Sequence, residues 1–308
     1  SPTRASILTG RYPATLGITD WIDHDHAIHP ARGKLVDVPY LDHLPHSQTT
    51  IATLLRAAGY VTWHVGKWHL GRQSHYPETH GFDLNIGGCE LGSPGKAGYF
   101  SPYAIPTLPN SGPDGEYLTD RLTDEAIHLI EQHDGDKPFF LNLCHYAVHT
   151  PIQARLDEIE KYRAKGQRLG LDKVLTFEEG DFFPTEHKGH LRISRRLLQS
   201  DPTYAAMVEN LDWNIGRLLD GAKALGVRAV ATEQYPRGLG HTTKALADRL
   251  GIVPAKLTFS CGGCPEVFEN LRDAGVFKIL VVGIEAHVCI QQTVLDLLAD
   301  GFRVYLAV

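Results

Sequence analysis

Residues 138–143, Pro138-Phe139-Phe140-Leu141-Asn142-Leu143, are apolar at nearly every position. A short run of that texture is a strand covered on both faces, as the strands of parallel sheets are. Tyr60 to Val65, β-branched and aromatic, predicts a second strand, led in by a helix over Thr49 to Ala58 that stops at Gly59. Strands of this kind alternating with helices restrict the chain to layered α/β architecture. Three more helices are expected. One covers residues 3–8, with Pro2 at its start and Gly10 as its stop. Another covers Asp120 to His133. The longest runs from about Tyr204 to Leu225, where Tyr204, Met207, Val208, Leu211, Ile215, Leu218, Leu219, Ala222 and Leu225 keep helical spacing. Residues 20–48 and 71–116 should be irregular, and residues 152–200 are charged and poorly patterned.

The texture changes after the long helix. Short strands at 227–232, 256–260, 277–283 and 302–308 alternate with helical stretches at 242–250, 265–274 and 286–300. That predicts a compact parallel α/β unit, and 308 residues leave room for about two domains. A formal charge of −6 supplies no basic field for nucleic acid. No run approaches the ~18 apolar residues of a membrane span, and stretches such as Ile279 to Val282 are strand-sized. Five cysteines do not make a disulfide framework. The sequence opens on Ser1 without a methionine and closes on a strand-like Phe302 to Ala307, so a piece of something longer is expected at both ends.

Ser1-Pro2-Thr3-Arg4, followed by Leu8-Thr9-Gly10-Arg11-Tyr12-Pro13, resembles the nucleophile motif of the sulfatase family. There a Cys or Ser, any residue, Pro, Ser/Thr/Ala and Arg precede Thr-Gly-Arg. The resemblance makes Ser1 the "any residue" position and puts the nucleophile, a formylglycine whose hydrate attacks sulfur, immediately before Ser1. A helix start suits such a group, because free amides and the dipole favour a sulfate anion. Arg4 could hold oxygens with its planar fork; a capped surface helix with a solvated Arg is the plain alternative. Gly59-Tyr60-Val61-Thr62-Trp63-His64-Val65-Gly66-Lys67-Trp68-His69-Leu70-Gly71 resembles the second signature of the same family. A strand ending in a Gly-flanked Lys-x-His brings a cation and an imidazole to one place, suited to neutralising sulfate and protonating a leaving alcohol. A snorkelling Lys67 and a packed His69 on an edge strand would be the structural alternative.

His149 precedes Pro151 in a loop after the strand Phe139 to Leu143, where the resemblance implies a sulfate-contacting His-x-Pro element. His145 is its neighbour and competitor, expected to be packed at the strand end, and His80-Gly81-Phe82-Asp83 matches the family as structure rather than chemistry. The family holds calcium with two Asp near its N-terminus and with an Asp-Asn pair after the long helix. The first pair would precede Ser1 and no Ser-Asp-Asn-Gly follows Val227, so calcium is implied by the family without ligands in this chain. His24, His26 and His29 beside Asp23 and Asp25 could bind a transition metal, or simply form a His-rich surface loop. Cys261-Gly262-Gly263-Cys264 is a single CxxC lacking a second pair for zinc, and buried thiols are expected.

Residues 218–308 resemble a different family. Thr232-Glu233-Gln234-Tyr235-Pro236, Lys256-Leu257-Thr258-Phe259-Ser260 and Gly283-Ile284-Glu285-Ala286-His287-Val288-Cys289 look like an isochorismatase-type cysteine hydrolase. The resemblance implies Cys289 as nucleophile and Lys256 as its cationic partner, while the family's Asp lies on a first strand that is not here. A buried Cys at a helix start is the alternative reading of Cys289.

The expectation is therefore an incomplete alkaline-phosphatase-like sulfatase core over residues 1–217. An isochorismatase-like three-layer unit over 218–308 follows it, joined within Leu218 to Val227. The implied activity is hydrolysis of a small-molecule or glycan sulfate ester, by a periplasmic or secreted protein if the family is followed. The site would be Arg4, Lys67, His69 and His149. Cysteine hydrolysis at Cys289 and Lys256 is the second reading, and a non-catalytic fusion product the third.

Overall fold

The computed structural model describes residues 1–23, 39–109, 112–183, 188–224, 226, 228–276, 278–282 and 289–307. Helix α1 (Pro2–Thr9) opens the chain and ends at Gly10 in the left-handed conformation, as its Pro and Gly predict. After α2 (Pro13–Leu16), helix α3 (Ile51–Ala57) is capped by the Thr50 hydroxyl, which accepts the Thr53 N–H. It leads into β1 (Val61–Gly66). β1 is the central strand of a parallel sheet in the order β2-β1-β3, with β2 at Leu84–Ile86 and β3 at Phe139–Cys144.

Both faces of this sheet are covered, which explains the near-continuous apolar texture of β3. On one face Ala5, Leu8, Ala52, Trp68, Phe82 and Phe140 form a core with α1, α2 and α3. On the other, Val65 packs with Leu118 and Leu122 of α4 (Leu118–Glu131) and with Ala206 and Met207 of α6 (Pro202–Ala224). The layering is α/β/α.

Several expectations are corrected. The excursion 71–116 contains strand β2, three residues long and parallel to β1, too short to stand out between Gly81 and Gly87. Within 152–200, α5 (Leu156–Arg168) packs on α6, and β4 (Phe177–Phe182) pairs antiparallel with β5 (Arg192–Arg196). Their charged, poorly patterned sequence reflects exposure. The expected strands 227–232 and 256–260 shrink to a two-residue parallel pair, β6 (Glu233–Gln234) with β7 (Ala255–Lys256).

The remaining elements follow prediction more closely. Short α7 (Pro236–Leu239) and α8 (Lys244–Leu250) lie between β6 and β7, and α9 (Pro265–Asp273) follows β7. Strands β8 (Lys278–Val282) and β9 (Arg303–Ala307) pair in parallel around α10 (Gln291–Ala299). Phe268, Leu271, Val281, Ile290, Leu297 and Phe302 make their small core. No helix among the described residues is long and apolar enough to cross a membrane.

Candidate active site

The C-terminal end of β1 is where the first two motifs meet. Gly66 ends the strand with φ +96, and a Cβ there would come within 2.0 Å of the Cys144 carbonyl oxygen. Glycine at this position lets β1 and β3 close up while the chain turns out, and the Lys67 N–H donates to that same oxygen (2.7 Å). The turn presents Lys67 and His69 towards the start of α1. Arg4, on the first turn of α1, donates from Nη1 to the Lys67 carbonyl (2.9 Å). Ser1 Oγ donates to the His69 carbonyl (3.0 Å) and accepts the Ile22 N–H (3.1 Å). Arg4, Lys67 and His69, distant in sequence, are thus locked into one cluster around Ser1.

The electrostatics follow from burial and like charge. Burial pushes the Lys67 ammonium down to about 8, and the Arg4 guanidinium pushes in the same direction. Burial likewise pushes the His69 imidazole down to about 3, with the charges of Lys67 and Arg4 adding to the effect. Nε2 of His69 faces the Ile22 carbonyl (2.8 Å), which can only accept, so the proton of the neutral ring sits on Nε2. Its Nδ1 is buried without a hydrogen-bond partner. The neutral ring therefore offers Nδ1 as an acceptor. Its backbone has φ 56, and Gly92 packs against the ring so closely that a Cβ would lie 2.5 Å from Cε1.

The other predicted residues are not drawn into this cluster. His149 is exposed on the loop after β3, where Nδ1 meets the carbonyl (3.0 Å) and hydroxyl (3.2 Å) of Thr150. His145 has both ring nitrogens buried without partners, and burial pushes it down to about 4. The His24, His26 and His29 group lies outside the described residues. In the second half, the Lys256 ammonium is buried and donates to Gln234 Oε1, the Thr258 carbonyl and the Phe259 carbonyl. Cys289 is half-buried just before α10, and its carbonyl accepts from the Thr293 hydroxyl (2.7 Å). Among the described residues nothing links Lys256 to Cys289, and the Asp of the implied triad has no counterpart.

One residue was missed. His64 is fully buried beneath the cluster, with Nε2 on the Gly66 carbonyl (3.0 Å) and Nδ1 on the Asn142 amide (3.0 Å). Burial pushes it down to about 3, so it is a neutral bracket that ties the Gly66 turn to β3. The signal was Asn142 itself, a polar residue inside an apolar strand that must find a partner.

The set of donors does not suit calcium. Calcium takes six to eight oxygens, mostly carboxylate and carbonyl, whereas Arg4, Lys67 and His69 present nitrogen. Among the described residues no group of three or more His, Cys, Asp or Glu could hold a metal ion.

Comparison with known proteins gives two family matches that overlap over residues 193–230. The Sulfatase family model matches residues 1–230, and the Isochorismatase domain model matches residues 193–308. Arylsulfatase G of Canis lupus familiaris is 37% identical over 226 residues, covering 71% of this chain and 38% of that protein. N-acetylgalactosamine-6-sulfatase of Mus musculus is 34% identical over 176 residues, covering 50% of this chain and 31% of that protein. Isochorismatase domain-containing protein 1 of Salmo salar is 46% identical over 93 residues, covering 29% of this chain and 32% of its own. The chain spans about a third of the length of these curated relatives. A solved structure described as a sulfatase, yidJ of Bacteroides fragilis, superposes with a TM-score of 0.52 at 21% identity, covering 74% of this chain and 49% of that one. Sheet, motifs and matched span agree: the chain belongs to the sulfatase family, with an isochorismatase-like segment in its C-terminal part.

Proposed function

We propose that residues 1–217 carry a sulfate-ester hydrolase site and that 218–308 form a separate, isochorismatase-like unit. The observation that supports this most directly is the position of the Ser1 backbone nitrogen. The Ser1 hydroxyl bonds the His69 carbonyl, and Arg4, one turn on, bonds the Lys67 carbonyl. A residue bonded to that nitrogen would sit beside all three, where the family's formylglycine belongs; that group would supply the hydroxyl that attacks sulfur. The free N–H groups of Arg4 and the Lys67 ammonium would bind and neutralise sulfate oxygens. His69 would take a proton at Nδ1 and return it later to the leaving alcohol. His149 would contact the sulfate only after its exposed loop moves inward. The nitrogen donors present do not fit calcium, so no step is assigned to that ion. The substrate class is a sulfate ester of a glycan, as the name of the murine relative suggests, or of a small aryl alcohol.

The test is arylsulfate turnover by a chain extended to place a convertible Cys before Ser1, supplied with the family's metal-ligand segments. Activity should fall at least ~100-fold in Lys67→Ala, His69→Ala, the loss typical of removing charge stabilisation and proton transfer together. Undiminished turnover in that double mutant would overturn the site, and a folded but inactive extended chain would favour the non-catalytic reading.

A further inference from the structure

The second half holds a pair of thiols that neither implied activity uses. Cys261, Gly262 and Gly263 form a single 3-10 turn, and the Cys264 N–H donates to the Cys261 carbonyl (2.9 Å). A hydrogen-bonded turn of this kind brings its first and fourth Cα atoms within ~7 Å, the span a disulfide bridges. The turn is held from several sides. The Ser260 hydroxyl accepts the Gly262 N–H (2.9 Å), and the Cys261 N–H donates to the Thr293 hydroxyl (2.9 Å). A Cβ on Gly262 would meet Asp296 at 2.6 Å, and one on Gly263 would meet Thr258 at 2.1 Å. The two glycines between the cysteines are therefore fitted to their place.

The cysteines are unequal. Cys261 is half-buried, with its Sγ 3.1 Å from the Thr232 hydroxyl, which can donate to it. Cys264 is buried, its thiol 3.6 Å from the Ala255 carbonyl, and burial pushes that thiol up. A half-buried sulfur with a hydroxyl donor beside it, backed by a more deeply buried second sulfur one turn away, is the arrangement of an attacking and a resolving thiol.

We propose that Cys261 and Cys264 are a reversible dithiol–disulfide pair that exchanges with low-molecular-weight disulfides. The Cys261 thiolate attacks one sulfur of the small disulfide, whose S–S bond breaks and releases one thiol. Cys264 gives its proton to solvent and attacks the Cys261 sulfur of the mixed disulfide, releasing the second thiol. The protein loses two protons and two electrons, and the small disulfide is reduced to two thiols. The Thr293 hydroxyl accepts the Cys261 N–H and donates to the Cys289 carbonyl (2.7 Å), so it links the turn to the segment that carries Cys289. Closing the disulfide should therefore change how fast Cys289 reacts.

The experiment is intact-mass spectrometry and disulfide mapping of the whole chain equilibrated with oxidised and reduced glutathione. The expected product lacks two hydrogens, maps to Cys261–Cys264, reverts with excess reduced glutathione and persists in Cys289→Ser. Cys264→Ser should stop at a mixed disulfide on Cys261, and Cys261→Ser should remain largely unmodified. Iodoacetamide labelling of Cys289, compared in the oxidised and reduced wild type, reads the coupling and should differ by at least severalfold. A wild type that stops at a stable mixed disulfide on Cys261, or that forms no Cys261–Cys264 bond in the oxidising buffer, would overturn the proposal. Equal Cys289 labelling would overturn the coupling alone.

Discussion

At the scale of single residues, the proposed anion binding turns on Lys67. Its folded pKa lies near 8, below its ordinary 10.5, because it is desolvated beside Arg4. A bound sulfate favours the ammonium, so binding should take up protons around pH 8 and weaken as pH rises through that value. Calorimetry with sulfate at pH 7 and pH 9.5 checks this; equal affinity at the two would show that Lys67 does not face the anion. Gly92 gives a second prediction. Gly92→Ala drives a methyl to within 2.5 Å of the His69 ring, which Ile22 holds in place, so it should cost about 1–3 kcal/mol. A urea midpoint equal to wild type would show that the ring can step aside. Arg4, Lys67 and His69 could be read from sequence because their motifs fix both residue type and spacing. His64 and Ser1 could not, since their roles depend on the Asn142 amide and the Ile22 N–H, brought near only by the fold.

Among the elements, α6 shows why a pattern can give the right helix and only part of its buried face. The apolar spacing predicted a stripe through Met207, Val208, Leu211 and Ile215. Met207 is buried as expected, but the buried set adds Ala206, Asn210, Asn214 and Gly216 and leaves Val208 and Ile215 exposed. Asp120 of α4 is the cause. It is buried, and its Oδ1 accepts the side-chain amides of Asn210 (3.0 Å) and Asn214 (2.7 Å), while Oδ2 pairs with Arg155. A buried carboxylate needs donors, and an asparagine that supplies one counts as polar in any hydrophobic pattern. Asp120→Ala would strand the buried Asn210 amide and one side of an ion pair, and would leave the Asn214 amide only its bonds to Asn210. A loss of about 3 kcal/mol is expected, with Asp120→Asn milder because an acceptor oxygen remains. Chemical denaturation of the two variants measures this, and a loss below ~1 kcal/mol in Asp120→Ala would mean that α4 and α6 are held by apolar packing alone. β2 and the β4–β5 pair escaped the sequence for another reason: one is three residues long and the other is exposed, so neither carries a buried period.

Across the whole molecule, acid works against the buried imidazoles. Burial holds His64 and His69 neutral down to about pH 3 and His145 down to about 4, whereas in the unfolded chain each protonates near 6.5. These pKa values are depressed in the folded state, so stability is intact above pH 6.5 and is lost as pH falls from there towards 3. Each proton bound only by the unfolded chain lowers stability by about 1.4 kcal/mol per pH unit. Melting temperatures taken from pH 7 down to pH 4 should fall steadily, and a flat profile would contradict the neutral assignment.

The two halves should also differ in how they resist proteolysis. The first has a three-stranded sheet covered on both faces, with Val65, Leu118, Leu122, Ala206 and Met207 in one core and Ala5, Trp68 and Phe82 in the other. The second has two separate two-stranded pairs, and Ile252 (91% exposed), Leu257 (78%) and Phe259 (60%) stand in solvent. Two-stranded sheets are marginal without further cover, and local opening follows low burial. Limited proteolysis should therefore cut first in the exposed, irregular stretches 228–232 and 251–254, leaving a fragment that still contains α1 to α6. Mass spectrometry of the first products decides it. Initial cuts inside the first half, with 233–307 surviving intact, would place the weaker unit on the other side of α6.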